Sequence, residues 1–320
     1  MSQALAKLLQ VPKDDLLSWR AKYQSIAYYI YGELPKIEDY QETEFCSMDG
    51  MNSEGLAVNV LADAQSTFKD VKEPGANKIA TIRFSQYLLD RFATVKKAVK
   101  HIKKNELFLI DPGVPNKSDR QAWFHFTLSD PSGDSAVIEF KKGNVEIYHD
   151  KSYIVTTNQP SYNVQLDLMK YWEYQWTPQN DTPEQEEKIL TTVPGGSSSV
   201  QRFERAAYYT HFVQPIHNAQ LAVAQTKGIM STVSTPMQFS KYGKDQERYT
   251  HTIWTTLSDQ MNKRYYFQPA YTMNSMYLDM PAEDLKISKY VQVAQEKDNF
   301  YDLNESSGDI AEQLTNENET

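Results

Sequence analysis

Apolar and polar positions first alternate in a strand-like way between Trp19 and Tyr31, where WRAKYQSIAYYIY is rich in aromatic and β-branched residues. EFCSMDGMNSEGLAVNVLAD then reads as strand, turn, strand. Its turn falls at Asn52-Ser53-Glu54-Gly55, since polar residues and a glycine suit a tight connection. The pattern changes to helical spacing at Ile79, Ile82, Leu88, Leu89 and Phe92. A second helix, VKKAVKHIKK, follows Thr94 as its N-cap. Val95, Val99 and Ile102 form its apolar stripe, and its lysines read as a solvated face.

AWFHFTLSD, SAVIEF and VEIYHD alternate between the turns PSGD and KKGN, which predicts an antiparallel meander. Asp130 and Asp134 flank the first of these turns and read as turn formers. YIVTTN predicts a further strand, and QPSYNVQLDLMKYWEYQW a helix after a proline turn. Residues 177–188 read as an exposed loop. PGGSSS introduces the helix VQRFERAAYYTHFV, and THTIWTTLSDQMNKRYYFQPAY predicts two strands joined at Asn262-Lys263. Strands and helices are partly segregated, which predicts an α+β layered fold. We divide the chain into an unassigned segment 1–18, a domain 19–294 and an acidic tail 295–320 expected to be disordered.

Composition narrows the function. The 320 residues are 40% hydrophobic, enough for a substantial core, and carry a net charge of −9, which argues against a nucleic-acid partner. No apolar run approaches the roughly 20 residues of a membrane span. A single cysteine, Cys46, excludes an intrachain disulfide. His125, His149, His211, His217 and His251 lack metal-ligand spacing, and there is no glycine-rich phosphate loop. No cofactor is therefore expected. The first residues lack the order of a secretory signal, so the chain as written is expected in the cytoplasm. A signal peptide lying upstream would make it periplasmic or secreted.

Four stretches, in one order, resemble the choloylglycine hydrolase family, which includes penicillin V acylases and bile salt hydrolases. They are WRAKYQSIA with DGMNSEGLAVNVL, SQYLLDRFATVKKAV with LSDPSGDSAVIEF, VTTNQPSYNVQL with PGGSSSVQRFERAAYY, and WTTLSDQMNKRYYF. The resemblance implies an αββα Ntn-hydrolase sandwich and cleavage of linear amide C–N bonds in small molecules such as penicillin V, conjugated bile salts or acyl-homoserine lactones. It also implies a possible homo-oligomer, often a tetramer.

In such enzymes a Cys at the mature N-terminus attacks the carbonyl as its thiolate. Its own α-amino group accepts the proton, and an oxyanion hole holds the intermediate. The resemblance maps the oxyanion donor onto Asn158 in VTTNQP and the arginine beside the nucleophile onto Arg202 in VQRFERA. A third position near the substrate, often Tyr or Asn, is here Ala62. Asn158 also reads as a turn residue before proline, and Arg202 as a surface helix residue.

The family's first strand, with its Cys and the Arg and Asp that follow, has no counterpart in residues 1–18. The expected sandwich is thus short of its first one or two strands. Cys46 lies on an internal strand without a free α-amine and reads as a small buried hydrophobe. Ser2 could be exposed by removal of Met1, yet SQALAKLLQV has helical spacing. Two functions remain open: an amidase whose true start lies upstream, or a non-catalytic relative that binds ligand or assembles through the same fold. In either case the uncovered sheet is expected to leave the chain marginally stable.

Overall fold

Alternation through the first half of the chain builds a six-stranded antiparallel sheet in the computed structural model. The structure describes residues 6, 9, 11–33, 43–69, 77–105, 107–115, 121–177, 193–237, 239, 251–281, 289–292, 294–297, 300–303 and 306–316. They fall into two units, Met1–Asp167 and Leu168–Thr320.

The first unit contains β1 (Ser25–Glu33), β2 (Thr43–Asn52), β3 (Ala57–Ala62), β4 (Lys78–Ala80), α1 (Thr81–Arg91), α2 (Val95–Lys104) and β5 (Phe108–Ile110). The meander follows as β6 (Phe124–Ser129), β7 (Ser135–Lys141) and β8 (Asn144–His149), and α3 (Tyr162–Trp176) begins at the end of the unit. The sheet order is β1-β2-β3-β6-β7-β8, while β4 and β5 form a separate parallel pair. All three tight turns read from the sequence in this unit are present, with Gly55 at φ 83°, Gly133 at φ 76° and Gly143 at φ 78°. Left-handed backbone of this kind favours glycine.

Helix α1 lies on β2, and the DGMN motif explains how it gets so close. A Cβ on Gly50 would sit 2.8 Å from Leu89 Cδ1 and 2.7 Å from Ala27 Cβ, so only glycine fits under the helix. Asn52 is wholly buried and saturates its side chain. Its Nδ2 donates to Leu89 O (2.8 Å) and Phe92 O (2.7 Å). Its Oδ1 accepts the N–H groups of Glu54 (3.1 Å) and Leu56 (3.0 Å). One residue therefore closes the end of α1 and shapes the β2–β3 turn. Phe84, Leu88 and Leu89 of α1 are buried with Phe126 and Phe140 of the sheet, Phe84 meeting Phe126 edge-on at 4.9 Å. Thr94 caps α2 as expected, accepting Lys97 N–H at 3.3 Å, and Asp130 adds a second cap through Val95 N–H at 2.8 Å.

Three expectations about boundaries change. Trp19–Gln24 precede the strand, because Trp19 Nε1 and the N–H groups of Lys22 and Tyr23 bond Asp90 instead of a ladder. Ile79 belongs to β4, and the helix starts only at Thr81. YIVTTN joins no strand, since the chain leaves the sheet at the Asp150–Ser152 turn, where Asp150 Oδ1 accepts Ser152 N–H at 2.9 Å. In the segment 1–18, Leu16 bridges to Lys78, and Lys78 Nζ pairs with Asp15 at 2.8 Å, both side chains buried. Of the loop expected at 177–188, residues 178–188 lie outside the described residues, as does Ser2.

The second unit contains α4 (Ser199–Phe212), α5 (Ala219–Thr232), β9 (Trp254–Asp259), β10 (Arg264–Pro269) and β11 (Met276–Asp279). Short strands follow: β12 (Lys289–Tyr290), β13 (Ala294–Lys297), β14 (Phe300–Leu303), β15 (Gly308–Asp309) and β16 (Thr315–Asn316). Its sheet order is β15-β11-β10-β9. β9 and β10 join through Lys263 at φ 61°, at the turn read from the sequence. Helix α5 and strand β11 were not anticipated. The described part of the expected acidic tail also carries ladders: β13 pairs with β14, and β15 adds parallel to β11. Backbone pairing there does not require an apolar run, which is why composition misses it.

Candidate functional site

Asn158 and Ala62, two positions singled out by resemblance, meet in space. Asn158 Nδ2 donates to Ala62 O at 2.9 Å, although 96 residues separate them. Ala62 is the last residue of β3, and Asn158 stands in the extended segment after β8. Asn158 is half-buried, and a cis peptide joins Gln159 to Pro160 just beyond it.

The segment around Asn158 is fixed from within the first unit. Gln165, wholly buried on α3, accepts Thr157 N–H at 3.3 Å and donates to Pro160 O at 2.6 Å. Glu139 of β7, also wholly buried, accepts Tyr162 N–H at 2.7 Å and so caps the start of α3. Lys141 Nζ lies 2.7 Å from Glu139 Oε2 and 2.7 Å from Glu146 Oε2. His125 Nδ1 is 3.7 Å from Glu139 Oε1. Burial alone would raise the Glu139 carboxyl, but His125, Lys141 and the Tyr162 N–H together hold it below the usual glutamate range. Burial acts against the Lys141 ammonium too, yet Glu139, Glu146 and Tyr148 raise it overall.

Arg202 stands on the first turn of α4 in the second unit, where Ser198 accepts Gln201 N–H at 3.2 Å and caps the helix. It is half-buried, and burial followed by the neighbouring Arg205 charge pushes its guanidinium below the ordinary arginine value. Arginine stays charged under such a shift. Arg205 is a framework residue, binding Pro194 O (2.7 Å), Gly196 O (2.9 Å) and Thr232 O (2.6 Å). It ties the PGG loop to the end of α5.

The alternative nucleophile Cys46 is 0% exposed, with Sγ 3.6 Å from Met48 Sδ. A thiol so enclosed cannot meet substrate, in keeping with the bland reading. His101 bonds Tyr87 Oη at 2.9 Å and the Asn105 side chain at 3.1 Å, and burial lowers its pKa. Asp130 and Asp134 form the turn and support α2 and His149, with His149 Nε2 2.9 Å from Asp134. Sequence reading missed Gln165 and Glu139. The signal for Glu139 was a carboxylate inside the apolar run SAVIEF; Gln165 is set three residues after the buried Tyr162, on the same helix face.

A six-stranded sheet with helices on it and a second sheet with its own helices define an α+β fold. Residues 26–300 match the family described as linear amide C-N hydrolases, choloylglycine hydrolase family, and the chain belongs to it. It is 31% identical over 280 residues to the penicillin V acylase of Pectobacterium atrosepticum, covering 82% of this chain and 68% of that one. It is 28% identical over 254 residues to the bile salt hydrolase/transferase of Lactiplantibacillus plantarum, covering 75% and 74%. The solved penicillin V acylase from Agrobacterium tumefaciens superposes with a TM-score of 0.69 at 27% identity, over 94% of this chain and 92% of that one. The fold class expected from resemblance is the one that the chain shares with this solved structure. Among the described residues no helix is long and apolar enough to cross a membrane.

Proposed function

We propose that these 320 residues form the substrate-binding walls of a linear amide C–N hydrolase site and bind small-molecule amides without hydrolysing them by a thiol of their own. One observation carries the reading: Asn158 donates to Ala62 O, which brings two site positions of the family to one strand end. In this reading Asn158 gives an N–H to the amide oxygen, a contact that strengthens as negative charge develops there. By resemblance to the family, Arg202 is the arginine that accompanies the nucleophile. Penicillin V, conjugated bile salts and acyl-homoserine lactones are the candidate ligands, since relatives are named for the first two. The chemistry needs a thiolate with a base beside it, and the buried Cys46 offers neither access nor an α-amine.

Calorimetry of the purified chain with penicillin V and with glycocholate tests this. We expect binding of at least one ligand, about tenfold weaker in Asn158→Ala, and no turnover of either. Turnover that survives Cys46→Ala would overturn the non-catalytic part. Unaltered affinity in Asn158→Ala would overturn the site itself.

A further inference from the structure

The segment that carries Asn158 belongs to no strand, so its main chain lacks the ladder that positions catalytic groups on sheets. Its polar groups must still be bonded when buried. The wholly buried Gln165 side chain meets that need at two points on either side of Asn158. Its Oε1 takes the Thr157 N–H and its Nε2 gives to Pro160 O. We propose that Gln165 is the positioning residue for Asn158, a two-point clamp that sets where the Asn158 amide points.

Three features carry this. A neutral amide is the side-chain type able to accept and donate in parallel at one distance from the helix, and both its partners here lie within four residues of one another. Complete burial removes water as a competing partner, so the clamp has one arrangement. Helix α3, which bears Gln165, is itself held by Glu139 through Tyr162 N–H, and this ties the clamp to β7. Asn158 then reaches Ala62 O at the end of β3. The donor is thus referenced to two strands of one sheet, and a shift of about 1 Å in such a group is enough to cost two orders of magnitude in rate.

The inference rests on the reading of Asn158 as amide-site donor, but its test does not. In ligand-free protein with labelled asparagine, Asn158→Asp identifies the Asn158 side-chain signals. Gln165→Met keeps the volume and removes both bonds. We expect displaced Asn158 signals and side-chain proton exchange about tenfold faster, while the Asn59 and Asn105 signals stay in place. Gln165→Glu gives the same result at a pH high enough to ionise its buried carboxyl, because a carboxylate cannot donate to Pro160 O. Acidification that protonates the new carboxyl restores the donor, and the Asn158 signals return to their wild-type position, which a merely space-filling role does not predict. Should Gln165→Met fail to fold, the two pH arms of Gln165→Glu decide. Wild-type Asn158 signals in Gln165→Met, or in Gln165→Glu with its carboxyl ionised, or no return on acidification, would overturn the clamp. Unchanged ligand affinity in Asn158→Ala would instead sink the donor reading and leave the clamp standing.

Discussion

The two units hold their residues by different means. In the first, three buried polar side chains are held by named partners: Asn52 by four backbone groups, Lys78 by Asp15, Glu139 by Tyr162 N–H and Lys141. In the second, helix α5 has no buried residue among those described, and its Leu221 is 57% exposed. The order there comes from aromatic contact and from Arg205. Trp176 packs on Tyr208 at 5.5 Å and on His211 at 5.4 Å, and Arg205 gathers three carbonyls. Polar groups enclosed without water destabilise when their partners are removed, so these three sites are intolerant of change while the exposed face of α5 is permissive.

That contrast breaks most readily at Lys78. Lys78→Met leaves the Asp15 carboxylate enclosed near an apolar group, and about 3–5 kcal/mol of stability is expected to go, read by urea unfolding. A loss below about 1 kcal/mol would show that water reaches the pair. Asn52→Ala comes next. It strands Leu56 N–H and the carbonyls of Leu89 and Phe92, with an expected loss of about 3 kcal/mol from several unmade bonds.

A smaller effect separates charge from packing. The folded-state pKa of Glu139 lies below its ordinary value of 4.5. A depressed carboxyl contributes stability that is complete above the ordinary value and is lost as pH falls through the folded one. Stability measured from pH 6 down to about pH 3 should therefore decline less steeply in Glu139→Gln than in the wild type. Parallel slopes would mean that other carboxyls dominate acid unfolding. The smallest change is expected in the second unit, where Leu221→Ala on exposed α5 should shift stability by less than about 0.5 kcal/mol. A large loss there would erase the contrast.

Local sequence foretold the elements whose signals are local. The β6–β8 meander has alternation in FHFTLS, short strands and glycine turns, and α2 has Thr94 before an apolar stripe, so both were legible. Long-range pairing was not. YIVTTN has strand composition, yet an Asp150 turn diverts it, and nothing in those six residues records that. Helix α5 is equally obscure, because AQLAVAQTKGIMST has no apolar stripe facing a core. At the site, resemblance supplied Asn158, Ala62 and Arg202, while the groups that hold Asn158 came only from geometry. Glu139 and Gln165 are polar residues at inward positions, and their meaning depends on partners 23 and 8 residues away.

The most direct measurement follows the Asn158 side-chain amide by nuclear magnetic resonance while glycocholate or penicillin V is added. Progressive, saturable displacement of the Asn158 signals, with an affinity that matches calorimetry, is the predicted result. Saturable binding that leaves those signals where they stand in the free protein would place the ligand elsewhere and contradict the account.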